Sequence, residues 1–156
     1  DERLHAGMQR IAQQVPVERP VVVPFALLRD FPAHVEALNN ADWMVTAGRY
    51  CLVHGGVAPV LPLDAQDPET TRWIRHDFLD HEGPLERIVV HGHTPTDSSL
   101  PELHENRIAV DTGAVFSGHL TCAVLDADGT SPPRFLATDD HGREIEVAEV
   151  RPLSCL

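Results

Sequence analysis

The sequence predicts an α/β (α+β) domain, not a helical bundle. Helical periodicity is confined largely to the first forty residues, short apolar strand-like runs dominate from residue 43 onward, and one further helix is inserted among them. No internal repeat or low-complexity stretch interrupts that order. At 156 residues the chain has the length of about one domain.

The elements follow in sequence. Leu4, Met8, Ile11, Ala12 and Val15 recur at helical spacing, so residues 2–15 read as an amphipathic helix that Pro16 ends. The stretch from Pro16 to Pro24 is extended and cannot be a central strand. Pro32 opens a short helix over 32–39, with Val35 and Leu38 on one face. Trp43–Thr46 and Arg49–His54 flank a turn at Ala47-Gly48 and predict a hairpin, whose second strand stops at Gly55-Gly56. Asp67-Pro68-Glu69 has the form of an N-cap with proline at the first helical position. It opens a helix from 68 to about 81, with Trp73, Ile74 and Phe78 as its buried face and Gly83-Pro84 as its stop. Arg87–His91 is a short strand running into Gly92-His93-Thr94-Pro95. A polar loop to Asn106 precedes strands at Arg107–Asp111 and His119–Asp126; alternation makes Ile108, Val110, Leu120, Cys122 and Val124 candidates for core faces. Ala127-Asp128-Gly129 is a turn, and weaker strands follow at 133–137 and 143–150.

Charge narrows the function. Every one of the 12 basic residues is arginine, against 24 acidic residues, for a net charge of −12. Such a chain repels a phosphate backbone and an anionic membrane surface, so neither nucleic acid nor membrane is an expected partner. The longest apolar run, Val21 to Leu28, is far shorter than the roughly 20 residues of a membrane span. No signal-peptide pattern is present, and a cytoplasmic location is expected. Cys51, Cys122 and Cys155 are odd in number and lack C-x-x-C spacing, which argues against a disulfide framework and a zinc ribbon. Cys51 and Cys122 are expected as small buried hydrophobes.

Histidine placement carries the chemistry. Two strands end in histidine followed by glycine, at Val53-His54-Gly55-Gly56 and at Val90-His91-Gly92-His93-Thr94. Strand ends present side chains to ligands, glycine permits close approach, and a neutral imidazole suits zinc, iron or manganese. A single histidine so placed reads better as a hydrogen-bonded core residue; two of them, each beside a glycine, leave both readings open. His91-Gly92-His93 is not a cupin-type site, because no glutamate follows on the same hairpin and the next one is Glu102. His76 with Asp80, and Asp77 with His81, are i, i+4 pairs best read as a solvated helix face. Arg75 has no acidic residue three or four positions away, which leaves its planar fork free for an external anion such as phosphate; an unengaged surface arginine is the alternative.

Taken together, several segments resemble one family. Arg49-Tyr50-Cys51-Leu52-Val53-His54-Gly55-Gly56-Val57 is similar to the VHGG motif of calcineurin-like metallophosphoesterases. Trp73-Ile74-Arg75-His76-Asp77-Phe78-Leu79 resembles their Trp-x-Arg…Phe-Leu helix, and Val90-His91-Gly92-His93-Thr94-Pro95 their GHT motif. Asn106 to Ala114 and Ser117 to Thr121 are similar to the strand, turn and strand that follow. The branch is that of bacterial serine/threonine protein phosphatases and diadenosine tetraphosphatases, and the resemblance spans about residues 31–138.

The resemblance implies the C-terminal part of a four-layer αββα sandwich, mainly one mixed sheet with flanking helices. Residues 1–156 would be a single partial domain, with 1–30 a helix and linker and 139–156 a tail. It implies a hydrolase that cleaves phosphoesters with a metal-activated hydroxide, acting on a phosphorylated protein or a dinucleoside polyphosphate. His54 and His93 would be metal ligands and Arg75 a phosphate contact, with His91 and Asp111 at most beside the ligands. The complete enzyme would hold a divalent pair of manganese, iron or zinc. The family's GD-x-HG, GD-x-x-DRG and GNHE motifs do not occur upstream of His54, and the general acid would come from that missing part. Two dications about 3.7 Å apart repel by about 18 kcal/mol at an effective dielectric of 20, which two neutral imidazoles do not offset. The chain alone is therefore expected to bind at most one ion weakly and to be inactive. Self-association, or a partner segment supplying the N-terminal motifs, is the corresponding expectation for its partners. The alternative reading is a non-catalytic binding or regulatory protein that keeps the phosphatase fold.

Overall fold

A computed structural model describes residues 29–139 and 141–147, and the expected helix over 2–15, the extended segment after it and Cys155 lie outside them. The chain divides into two units, residues 1–41 and 42–156. In the first, helix α1 (Pro32–Asn39) has proline in its first turn, as the sequence predicts, and ends where the Asn40 amide donates to the Glu36 carbonyl at 3.0 Å. Phe31, its N-cap residue, stacks on His34 with ring centroids 5.7 Å apart.

The second unit is mixed α/β. Strands β1 (Met44–Ala47) and β2 (Tyr50–Val53) form the expected antiparallel hairpin. β3 (Ile88–His91) lies parallel to β2, and β5 (Arg107–Ala109) parallel to β3. β4 (Glu102–Leu103), inside the stretch read as a polar loop, closes the edge antiparallel to β5. The five-stranded order is thus β1-β2-β3-β5-β4. Strands β6 (Thr121–Val124), β7 (Arg134–Thr138) and β8 (Glu144–Glu146) pair antiparallel in a second, three-stranded sheet. The mixed five-stranded sheet agrees with the expectation of a mixed sheet, and the separate three-stranded sheet is additional to it. The short helix α4 (Ala114–Ser117), bounded by left-handed glycines 113 and 118, separates β5 from β6, which pairs with β7 instead.

Alternation along the strands builds two cores. Cys51 and Val89 point to one face, where they meet Val57, Leu63 and Phe78. Their neighbours Tyr50 and Val90 point to the other, with Ile108 and with Phe135 of β7. Cys51 is buried as expected, but Cys122 is exposed. Ala123 packs against the second core, so the pleat turns Cys122 away from it. Leu120, ahead of β6, is also exposed.

The helix expected over 68–81 is two helices, α2 (Pro68–Trp73) and α3 (His76–Leu79). Asp67 caps α2 as its sequence predicts, its Oδ1 accepting the Glu69 and Thr70 amides at 3.0 and 2.9 Å. The break coincides with a long-range contact. A continuous helix would give the Thr71 carbonyl to the Arg75 amide, but the Gly55 amide takes it at 2.8 Å. Ile74 is extended (ψ 141), and the ladder restarts where the Arg75 carbonyl accepts from Phe78 and Leu79. Phe78 fills the core and Ile74 packs against it, but Trp73 is 67% exposed, contrary to the buried face expected of it.

Candidate functional site

Both histidine-bearing strand ends lie on the same edge of the five-stranded sheet. Because β2 and β3 run parallel, their C-terminal ends are adjacent, and the Gly92 amide extends the ladder by donating to the His54 carbonyl at 2.9 Å. The α2–α3 junction presses on this corner. A Cβ at Gly55 would lie 2.9 Å from the Arg72 carbonyl oxygen. At Gly56 (φ +147) it would lie 2.3 Å from the Phe78 ring. Only glycine fits at either position.

The next turn is tight. His93 has φ +68, a region few non-glycine residues adopt, and the Thr94 amide donates to the Gly92 carbonyl at 2.8 Å across it. Backbone in this conformation costs about 1–3 kcal/mol and persists where the surroundings enforce it, commonly at functional sites. The turn throws the His93 ring beside that of His54, with centroids 5.0 Å apart and planes inclined by 55°. Trp73 meets His93 edge-to-face at 5.5 Å. Arg75 reaches the same turn from α3's N-cap, where its Nη1 donates to the Thr94 hydroxyl at 3.0 Å.

The structure therefore brings His54, His93 and Arg75 together, and it adds Trp73 and Thr94. Asp111 flanks the group: its Oδ1 accepts the Gly113 amide at 3.0 Å, and its backbone carbonyl accepts the Thr96 amide at 2.9 Å. His91 turns away into the first core, edge-on to Phe78 at 4.9 Å. Burial, aided by the charges of Arg107 and His104, depresses its pKa to about 4 against the pull of Gly92 and Asp111. His93 is also pushed below the usual histidine range, first by burial and then by the positive fields of Arg75 and His54, with Asp111 opposing. The exposed pair His76, on α3, and Asp80, its C-cap residue, stands 3.9 Å apart.

The Nε2 atom of His93 is buried and has no hydrogen-bond partner. An orphaned imidazole nitrogen beside a second imidazole fits a single divalent ion, for which the two rings would supply part of the coordination. Among the described residues no group of three or more His, Cys, Asp or Glu side chains is placed to hold a metal ion. Among the described residues the group therefore supplies two imidazoles and no bridging carboxylate.

Trp73 and Thr94 were not singled out from the sequence as site residues. Thr94 follows His93 directly, so its proximity was available; that of Trp73 depends on the helix break. No protein-family model, curated protein or solved structure matches this chain. Among the described residues no helix is long and apolar enough to cross a membrane.

Proposed function

We propose that this chain carries part of the site of a metal-dependent phosphoesterase, with His54 and His93 as metal ligands and Arg75 as the phosphate contact. The observation that supports it best is the convergence of the two strand-end imidazoles, one with an unpartnered buried nitrogen, beside an arginine held by a single side-chain hydrogen bond to Thr94. A bound divalent ion supplies Lewis-acid polarisation of a phosphoryl oxygen and lowers the pKa of water. Burial and the positive fields of Arg75 and His54 lower the His93 pKa, which favours the neutral form that ligates an ion. Arg75 uses Nη1 to fix itself on Thr94, which leaves the rest of its donor fork for phosphoryl oxygens. Completing a binuclear centre needs a bridging carboxylate and a general acid from a further segment or partner. Val45 and Leu52, opposite each other across the hairpin and 45% and 40% exposed, support association through this face.

The absence of a carboxylate from the His54–His93 group, among the described residues, favours a second reading as a non-catalytic metal or phosphate binder. One set of measurements separates the two. Titration calorimetry with manganese and zinc should show binding that His54→Ala and His93→Ala each weaken by about tenfold or more. Binding that neither substitution changes would refute the site. Hydrolysis of p-nitrophenyl phosphate should be far below about 10 per second for the chain alone. Its appearance on adding a segment that carries the missing motifs supports the enzyme, and its continued absence with metal binding intact supports the binder.

A further inference from the structure

Trp73 is the largest apolar side chain near the site, yet it is 67% exposed. Nothing in its helix requires this, since α2 buries Thr71 and the next residue, Ile74, packs against the first core. The break between the helices sets its direction. In a continuous helix, Trp73 and Arg75 would diverge by about 200° around the axis. The break at Ile74 (φ −59, ψ 141) removes that divergence. Trp73 and Arg75 accordingly reach consecutive residues of one turn: Trp73 meets the His93 ring at 5.5 Å, and Arg75 meets the Thr94 hydroxyl at 3.0 Å. An indole open to solvent over most of its surface and a guanidinium suited to phosphate thus contact adjacent residues of one turn.

We infer that Trp73 is a specificity-determining residue that stacks on an aromatic ring carried by the phosphoester bound at Arg75. The inference rests on the phosphoester reading of the site and adds to it the class of substituent that the ligand bears. A flat, polarisable indole gains little from a short aliphatic ester and much from a second ring. Base-on-aromatic stacking is worth about 1–3 kcal/mol by alanine substitution, or about 5- to 150-fold in affinity. The contact needs no base identity, because any π-face satisfies it. The chain has only one other tryptophan, Trp43, so Trp73 can be observed directly in a Trp43→Phe background.

The test is binding, read by Trp73 emission and by calorimetry, for phenyl phosphate, adenosine monophosphate and glycerol phosphate. Both aromatic esters should quench Trp73 and bind about 5- to 150-fold more tightly than glycerol phosphate. Trp73→Ala, a change at an exposed position that leaves the core intact, should bring all three to the glycerol phosphate level. Arg75→Ala should weaken all three alike. A stronger preference for phenyl phosphate assigns a ring joined directly to the ester oxygen; a stronger preference for adenosine monophosphate assigns one carried beyond a sugar. If aromatic and aliphatic esters bind equally, or Trp73→Ala leaves the preference unchanged, the stacking role is overturned while the Arg75 effect keeps the phosphoester reading. If none of the three binds, the phosphoester reading itself falls, and the inference with it.

Discussion

The Gly55 amide donates to the Thr71 carbonyl at 2.8 Å, joining the end of a strand to the middle of a helix sixteen residues away. That bond falls on the carbonyl at which the helix is interrupted, and beyond it Ile74 packs against the first core while Trp73 and Arg75 meet His93 and Thr94. The site is therefore a product of how closely α2 and α3 sit on the β2 corner, and glycine sets that distance.

Gly56→Ala should be costly. Its Cβ would overlap the Phe78 ring at 2.3 Å, and its φ of +147 disfavours any side chain. Overpacking of this kind typically costs about 1–3 kcal/mol. Urea unfolding should show that loss. The double variant Gly56→Ala/Phe78→Leu should lose less than the two single losses added together, because the smaller side chain gives the methyl room. Strict additivity would mean that the ring and the glycine do not meet.

Arg75→Ala should leave stability within experimental error, since the side chain is exposed, and weaken inorganic phosphate binding by about tenfold or more. Arg75→Lys keeps the charge but not the fork, so it should fall between the two. In a completed, active enzyme Arg75→Ala should raise KM and lower kcat together, because the contact acts in ground and transition states. Unchanged binding and kinetics would make Arg75 an ordinary surface residue.

What the sequence made legible was local. Asp67 caps its helix through its own carboxylate, Pro32 starts α1, and the histidine–glycine pairs mark strand ends, because each signal lies within a few residues. Three features involved distant contacts. The interruption at Ile74 coincides with a bond from an amide on another element, so a helical pattern from 68 to 81 could not reveal it, and Trp73 was misplaced with it. Cys122 sits in an apolar run, but its exposure depends on which face Ala123 gives to the second core. β4 is too short for any periodicity and is defined by its pairing with β5, Glu102 with Ala109 and Leu103 with Ile108. The convergence of His54 with His93 was an expectation from the resemblance, and the parallel β2–β3 register is its structural basis.

The two described cysteines should react very differently. Cys51 is fully buried, and burial pushes its thiol above the usual range, with Glu86 adding and Arg87 opposing. Cys122 is exposed on β6. Brief treatment with iodoacetamide at neutral pH, followed by peptide mass spectrometry, should modify Cys122 and spare Cys51. Denaturant should release Cys51 in step with global unfolding. Early modification of Cys51 in the folded protein would contradict its place in the first core.

Part of the acid sensitivity of the fold should trace to His91. Its pKa is about 4 in the folded chain, chiefly through desolvation, against an ordinary value of 6.5 when unfolded. Between those values the unfolded chain takes up a proton that the folded chain does not, so stability falls as pH falls. The contribution is fully present above about pH 6.5 and is lost on the way down to about pH 4, with a size of about 3 kcal/mol for a group this buried. The groups whose fields act on the ring are Arg107, His104 and Asp111, and Phe78 covers it. Urea midpoints measured from pH 7.5 to 4.5 should show this slope in the native chain. His91→Leu replaces the imidazole with an apolar side chain and should flatten the profile, even if it starts from lower stability at pH 7.5. Equal slopes in the two proteins would place the titrating group elsewhere and show that the His91 ring is not held neutral against Phe78.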